Sequence, residues 1–304
     1  MITKHAYKNI EWVDLESPKE EEILPIARQF NLHPAVVSEL TRPSQRSRAD
    51  RYNDSLYLIF HFPPHRNQNG SGQTREIDFI VGKDFIITSH YEPASVILNV
   101  ANLLETKSIL DKTETAASPG IIFYNIMKEL YEEITHRLDK VNKNLSDVEK
   151  EVFRGNEREM VGVLSKINKT LIDLKHPLKS HLAILESLDL KEEEIFGTSH
   201  EHYTEMAIGE YKRVWGILEN NRELLIDLKE TNDSLFSAKM NNVMKNLTIM
   251  SFLTFPLTLM TGIFSMNIDS TPIAELENGF WIILTIMGFV ILFMISFFRF
   301  KRWI

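Results

Sequence analysis

Hydrophobic positions follow three regimes along the chain. Up to about residue 115, short apolar runs bounded by turn residues predict a mixed α/β domain. Glu20–Phe30 and Pro34–Leu40 read as helices, and Ser55–Phe62, Glu76–Val81 and Phe85–His90 as short strands rich in Ile, Phe and Tyr. From Pro119 the period becomes helical. Ile121–Phe153 and Arg158–Leu190 form long amphipathic patterns, broken near Gly155 and Asn156, with Pro177 as a local kink in the second. Gly197, Thr198 and Ser199 end that pair, and Thr198 or Ser199 is placed to cap a third helix. No proline interrupts this third pattern before Pro256, so one helix from about Glu201 to Phe264 is expected, roughly 95 Å at 1.5 Å per residue.

The third regime is apolar throughout. Leu247–Phe264 is an uncharged run of 18 residues and Phe280–Phe298 one of 19, each near the roughly 20 residues that a helix needs to cross a bilayer. Two spans are therefore predicted, with a buried soluble hairpin as the alternative. The division is 1–117 as a cytoplasmic α/β domain, 118–200 as a helical hairpin and 201–246 as a stalk helix. It continues with 247–266 as the first span, 267–279 as an outer loop, 280–298 as the second span and 299–304 as a basic tail. Lys239 and Lys245 precede the first span and Arg299, Lys301 and Arg302 follow the second, while the loop between them has no Lys or Arg. This asymmetry places both termini in the cytoplasm and the loop outside the cell membrane. The opening MITKHAYKNI has neither an apolar signal core nor an Arg-rich presequence, so no cleavage is expected.

The third helix carries a seam at alternating three- and four-residue steps: Asn220, Glu223, Asp227, Glu230, Ser234, Ser237, Asn241, Met244, Thr248, Ser251, Phe255, Thr258, Gly262 and Ser265. A coiled coil would be apolar along such a heptad line, and this one is polar. The apolar counterpart, Tyr211, Trp215, Leu218, Leu225, Leu228 and Leu235, lies on another face and is expected to pack on neighbouring helices. Hydroxyls repeated on one face of a membrane helix touch water or other helices rather than lipid. One helix cannot enclose water, so the seam predicts several copies around an axis. The competing explanation is ordinary packing, with Thr248, Ser251 and Thr258 bonding to their own backbone. Glu223, Asp227 and Glu230 weigh against it, because acids do not line a packed seam without partners. Met244 and Phe255 would form apolar rings of the kind that gate by dewetting. The second span offers only Thr285, Gly288 and Ser296 as small or hydroxylated positions and reads as the outer, lipid-facing helix.

Composition sharpens this picture. The 304 residues contain 42 acids, 34 bases and no Cys, for a net charge of -8. Without Cys there is no disulfide, thiolate nucleophile or zinc finger, and the acidic balance argues against nucleic acid. From Asn246 to Phe298 only Asp269, Glu275 and Glu277 are charged, so the mean hydropathy of -0.16 averages two unlike regions. Asn69, Gly70, Ser71 and Gly72 read as a turn between strands. With no Lys-Ser or Lys-Thr at Walker spacing, no ATP site, other cofactor or enzymatic chemistry is expected.

Several segments carry a family resemblance. Asn241-Asn242-Val243-Met244-Lys245, Leu247-Thr248-Ile249, Phe255-Pro256-Leu257-Thr258 and Gly262-Ile263-Phe264-Ser265-Met266-Asn267 resemble the closing segment of CorA-type divalent-cation transporters. Leu32-His33-Pro34, Gln45-Arg46-Ser47-Arg48, Ser55 to Phe60, and Val81-Gly82-Lys83-Asp84-Phe85 with Thr88 are similar to that family's N-terminal domain. The resemblance implies a homopentameric funnel with a central pore, a stalk helix continuing into the pore-lining span, and an outer ring of second spans. It also implies Mg²⁺ as transported ion, with Co²⁺ or Ni²⁺ besides, and intracellular divalent ions as regulatory ligands. The family signature Gly-Met-Asn stands here as Ser265-Met266-Asn267. Asn267 is then the selectivity residue, Ser265 and Met266 flank it, and Asp269 and Glu275 complete the acidic mouth. Where the family has a Met-Pro-Glu-Leu element, the resembling segment here is Pro272-Ile273-Ala274-Glu275-Leu276.

Two other readings stay open: a zinc transporter similar to the ZntB branch, with or without proton coupling, and a non-conducting membrane scaffold or sensor. Further metal motifs are weak. His200-Glu201-His202 lacks the i, i+4 spacing of a helical zinc site. His61 and His65 have that spacing, but Pro63-Pro64 excludes a helix between them. Glu192-Glu193-Glu194 reads as an exposed hairpin tip, with a regulatory cation site as the alternative.

Overall fold

A computed structural model describes the backbone of residues 1–52, 54–64, 74–110, 118–189, 199–266 and 278–303, and their side chains except those of 107–110, 189 and 199–201. The chain divides into two units, Met1–Lys229 and Glu230–Ile304.

The first unit is built on a six-stranded sheet in the order β1-β2-β6-β5-β4-β3, with β2 and β6 parallel and every other pair antiparallel. The strands are β1 (Ile2–Tyr7), β2 (Ile10–Glu16), β3 (Arg48–Tyr52), β4 (Ser55–Phe62), β5 (Arg75–Val81) and β6 (Phe85–His90). The three apolar strands expected from the sequence are β4, β5 and β6. They stand side by side in the interior of the sheet, where both faces are covered and alternation gives way to continuous apolar runs. The edge strands β1 and β3 and the inner strand β2 join them. β1 reads as polar because it pairs on one side only, with β2, and a two-residue turn with Lys8 at φ 53° connects the pair.

Helices cover both faces. α1 (Glu20–Gln29) and α2 (Pro34–Glu39) bury Ile23, Ile26 and Val36 against Val13, Tyr57, Ile59, Ile80 and Ile87. The opposite face stacks Phe60 and Phe79 on Phe123 of α4 (Pro119–Phe153), with ring centroids 6.1 and 5.1 Å away. α3 (Ser95–Leu110) lies between β6 and α4 in sequence; Ile97, Val100 and Leu104 are buried in it.

A polar network closes the parallel β2–β6 joint. Trp12 Nε1 donates to Thr88 Oγ1 at 3.1 Å, Thr88 Oγ1 donates to Asp14 Oδ1 at 2.5 Å, and His90 Nε2 donates to Asp14 Oδ2 at 3.2 Å. Burial pulls the His90 pKa down, but the Asp14 carboxylate and the Glu92 carbonyl on its two nitrogens outweigh it, and the net direction is up.

The segment expected as one helix, Arg158–Leu190, is two: α5 (Glu157–Leu178) and α6 (His181–Asp189). Pro177 cannot donate to the Asp173 carbonyl, and the helix stops one residue later. The break delivers His181 into the core. Its Nε2–H donates to the His61 carbonyl at 2.9 Å, and its Nδ1 accepts from the Tyr131 hydroxyl at 3.0 Å. Near Gly155 the expected break between α4 and α5 is present, with Gly155 at φ 92°.

α7 (Ser199–Ser265) is one continuous helix that includes Pro256, and α8 (Gly279–Phe300) follows. Ser199, expected as a cap, is its first helical residue; Thr198 lies outside the described residues.

Candidate ion-conduction face

Within the first unit α7 is two-faced. Tyr211, Leu218, Leu225 and Leu228 are buried, and Trp215 is half-buried. Asn221, also buried, donates from Nδ2 to the Leu138 carbonyl at 3.1 Å. Lys175 of α5 reaches Glu219 at 2.6 Å and sits 5.2 Å over the Trp215 ring. The hydrogen bond from Lys175, with its charge and that of Arg222, holds the Glu219 carboxyl below its ordinary pKa. Asn220, Glu223 and Asp227 are all exposed. The apolar line thus packs on its neighbours as its spacing predicted, and this end of the polar seam faces away.

In the second unit the same line along α7 is Glu230, Ser234, Ser237, Asn241, Met244, Thr248, Ser251, Phe255, Thr258, Gly262 and Ser265. All are exposed except half-buried Thr248. Every hydroxyl that this line carries from Thr248 onward has a backbone partner on its own helix. Thr248 donates to the Met244 carbonyl at 2.8 Å, Ser251 to Leu247 at 3.0 Å, Thr258 to Thr254 at 3.0 Å and Ser265 to Gly262 at 3.0 Å. A hydroxyl has one proton and two lone pairs. With the proton committed to the helix, what remains available is an acceptor oxygen, the polarity that a cation requires. Phe255 is 72% exposed, and Met244 and Met266 are exposed as well. Among the described residues nothing packs against these three large apolar side chains enough to bury them.

α8 packs beside α7 through aromatic side chains. Phe298 is buried and meets Phe252 edge-on at 6.5 Å. In α8 Thr285 also bonds its own helix, donating to Trp281 at 2.7 Å. Only 6% of the most apolar window of α7, and none of that of α8, is buried within the chain. A core hairpin of a soluble protein would be mostly buried, so this alternative fails on geometry.

Other expected site residues divide sharply. Asn267, Asp269, Glu275, Glu277, Glu192-Glu193-Glu194, His65 and the turn Asn69 to Gly72 lie outside the described residues, and so do the side chains of His200 and Glu201. His61 is on β4, where its ring meets Ser47 Oγ at 2.7 Å, the Ser44 carbonyl at 2.9 Å and Glu76 at 3.3 Å. It belongs to a half-buried hydrogen-bonded network. Among the described residues no three His, Asp or Glu side chains of one chain converge to hold a metal ion.

An α/β unit followed by long helices and two unburied apolar helices defines a membrane protein with a large extramembrane body. The model of the CorA family, described as CorA-like Mg²⁺ transporter protein, matches residues 7–302. The chain therefore belongs to the CorA-like transporter family and is not an enzyme. Among its relatives, the putative metal ion transporter YfjQ of Bacillus subtilis is 26% identical, over 96% of this chain and 89% of that one. The cobalt/magnesium transport protein CorA of Methanocaldococcus jannaschii is 23% identical, over 96% and 91%. The complete structure of the CorA magnesium transporter from that organism is similar in fold, with TM-score 0.81 at 22% identity over 97% of this chain and 92% of that one. The cytoplasmic domain of ZntB from Vibrio parahaemolyticus is also similar, with TM-score 0.60 at 18% identity over 79% and 91%.

Proposed function

We propose that this chain assembles as a homopentameric channel in the cell membrane that admits Mg²⁺ passively, with Co²⁺ and Ni²⁺ as further permeant ions. The carrying observation is the polar line on α7, which is exposed throughout apart from half-buried Thr248, while the apolar line of the same helix packs on its neighbours. Five copies around an axis turn each position into a ring. Glu223, Asp227, Glu230 and Asn241 then ring the inner part of the pathway, and Thr248, Ser251 and Thr258 ring the membrane part with oxygens whose protons are already used. Met244 and Phe255 supply apolar constrictions. Both termini face the cytoplasm, in keeping with the Lys and Arg asymmetry.

Asn267, Ser265 and Met266 form the outer mouth in this reading. Asn267 presents five neutral carboxamide oxygens to a hydrated ion, a fitting partner for Mg²⁺, which sheds its water reluctantly. Asp269, Glu275 and Glu277 together contribute about fifteen negative charges around the mouth and concentrate cations there. An interior-negative potential of 100 mV adds about 4.6 kcal/mol for a divalent ion, so uptake needs no ATP.

The test is flux into liposomes containing the purified chain, with Mg²⁺, Co²⁺, Zn²⁺ and a proton gradient varied separately. Potential-driven Mg²⁺ entry that Asn267→Ala abolishes without disturbing assembly is expected. Ser265, a hydroxyl where the family signature has Gly, keeps open one competing reading, a zinc transporter similar to the ZntB branch. Proton-driven Zn²⁺ flux without Mg²⁺ flux would establish that reading in place of ours. An assembled oligomer that conducts nothing would leave a scaffold or sensor.

A further inference from the structure

The end of α8 is built with care for a terminus. Trp303 N–H donates to the Phe298 carbonyl at 2.9 Å and Arg302 N–H to the Arg299 carbonyl at 3.0 Å. These are the two bonds of a Schellman motif, which reverses the chain after a helix. Its usual apolar contact is present too: Trp303 stacks on Phe298 with ring centroids 5.9 Å apart and planes 22° from parallel. The residue at the left-handed position of such a turn is usually Gly. Here it is Arg302, at φ 54°. A side chain in that region is sterically disfavoured, so the turn carries a guanidinium where the backbone alone prefers none.

The reversal has a second effect. Trp303 becomes one wall of a cleft of about 380 Å³ whose other walls are Phe252, Phe293, Met294, Phe297 and Phe298, with no polar lining at all. Phe252 comes from α7 and the rest from α8 and its turn. Three cations, Arg299, Lys301 and Arg302, are concentrated within the same turn, and all are exposed. A wholly apolar cleft beside three positive charges matches a molecule with a long hydrocarbon chain and an anionic head.

We propose that this cleft is a binding site for an anionic phospholipid, with one acyl chain against the aromatic walls and the phosphate at Arg299, Lys301 and Arg302. The proposal rests on the proposed placement of α8 across the bilayer, with its final turn at headgroup depth on the cytoplasmic side. In that placement the tail meets the lipid leaflet richest in negative charge. Each Lys or Arg near an anionic leaflet contributes about 1 kcal/mol, about a fivefold preference per residue. Arg302 is the informative position because its replacement by Gly removes the charge and suits the turn better, so loss of binding cannot be assigned to a damaged terminus.

The experiment uses the full chain in vesicles containing brominated phosphatidylglycerol or brominated phosphatidylcholine, each diluted in unbrominated phosphatidylcholine. Quenching of Trp303 is isolated as the difference between the wild type and Trp303→Phe. Trp303 is expected to be quenched at a several-fold lower fraction of phosphatidylglycerol than of phosphatidylcholine. Arg302→Gly should narrow that preference about fivefold while quenching itself persists, and high salt should narrow it in the wild type. Equal quenching by the two lipids, or an unchanged preference in Arg302→Gly, overturns the lipid site and leaves the membrane reading intact. Quenching by neither lipid would overturn the membrane placement as well.

Discussion

Acidification tests the core of the extramembrane unit through one residue. His181 is fully buried, pinned between the Tyr131 hydroxyl and the His61 carbonyl and edged by Phe60 and Phe62 at 5.0 and 4.9 Å. Burial pushes its pKa down to about 4. Because the folded state refuses a proton that the unfolded chain accepts near 6.5, this contribution to stability is complete above pH 6.5 and is lost as pH falls through about 4. At about 1.4 kcal/mol per pH unit, the full interval amounts to about 3.5 kcal/mol, of which about 3 kcal/mol is lost by pH 4. His61 and His90 act with the opposite sign. Both pKa values are raised, His61 by Glu76 and the Ser44 carbonyl against burial, so their stabilisation is present below pH 6.5 and fades as pH rises. His181→Gln separates these effects. A Gln amide can donate to the His61 carbonyl and accept from Tyr131 but does not titrate, while the other histidines are common to both proteins and cancel. Denaturant unfolding of the full chain in detergent, followed by near-ultraviolet circular dichroism at pH 7 and pH 4, should show the wild type losing about 3 kcal/mol more than the variant. Equal losses would refute the assignment of His181 as a buried neutral imidazole.

Two substitutions on the α7 line bear on conduction. Phe255→Ser replaces the aromatic of that line, 72% exposed, and should raise the closed-state leak of liposomes measured with divalent ions high on both sides; unchanged closed-state conductance would move the gate to Met244. Ser265→Gly supplies the residue that the resemblance implies at this position and removes a hydroxyl worth about 1 kcal/mol in a hydrogen bond. The ratio of Mg²⁺ to Zn²⁺ flux should then shift about fivefold, and a constant ratio would show that Ser265 takes no part in selection.

What could be read from the sequence depended on how periodic each element is. α4, α5 and α7 keep an apolar period over many turns, so their positions were plain. β4 to β6 were visible because strands covered on both faces become unbroken runs of Ile and Phe. β1, with Lys4 and His5, has no such signal; its place comes from the ladder to β2, which is a long-range fact. α3 is apolar on more than one side and lacks a clear face. Pro177 predicts a kink, and the structure has a full break there, because the helix ends one residue after the missing Pro177 donor and His181 is packed into the core beyond it. The turn after α8 was hidden for the opposite reason: the residue at its left-handed position is Arg302, where the rule for helix ends expects Gly.

The hydroxyls of α7 show why a local contact alone does not decide between packing and conduction. Donation from Thr248, Ser251 and Thr258 to their own helix is what either explanation requires, since a membrane helix must satisfy each proton internally. The difference lies in what the oxygens meet next. In a packed seam their lone pairs need donors from a neighbouring helix, yet the line supplies few of its own: the amides of Asn220 and Asn241 and the hydroxyls of Ser234 and Ser237. It offers oxygens at Glu223, Asp227 and Glu230 instead. Copies of such a face brought together would confront acceptor with acceptor and acid with acid. Water and cations between them remove that conflict, and the acids then increase the cation concentration along the path rather than opposing assembly. The chemistry of the whole line, more than any single hydroxyl, therefore favours an ion pathway.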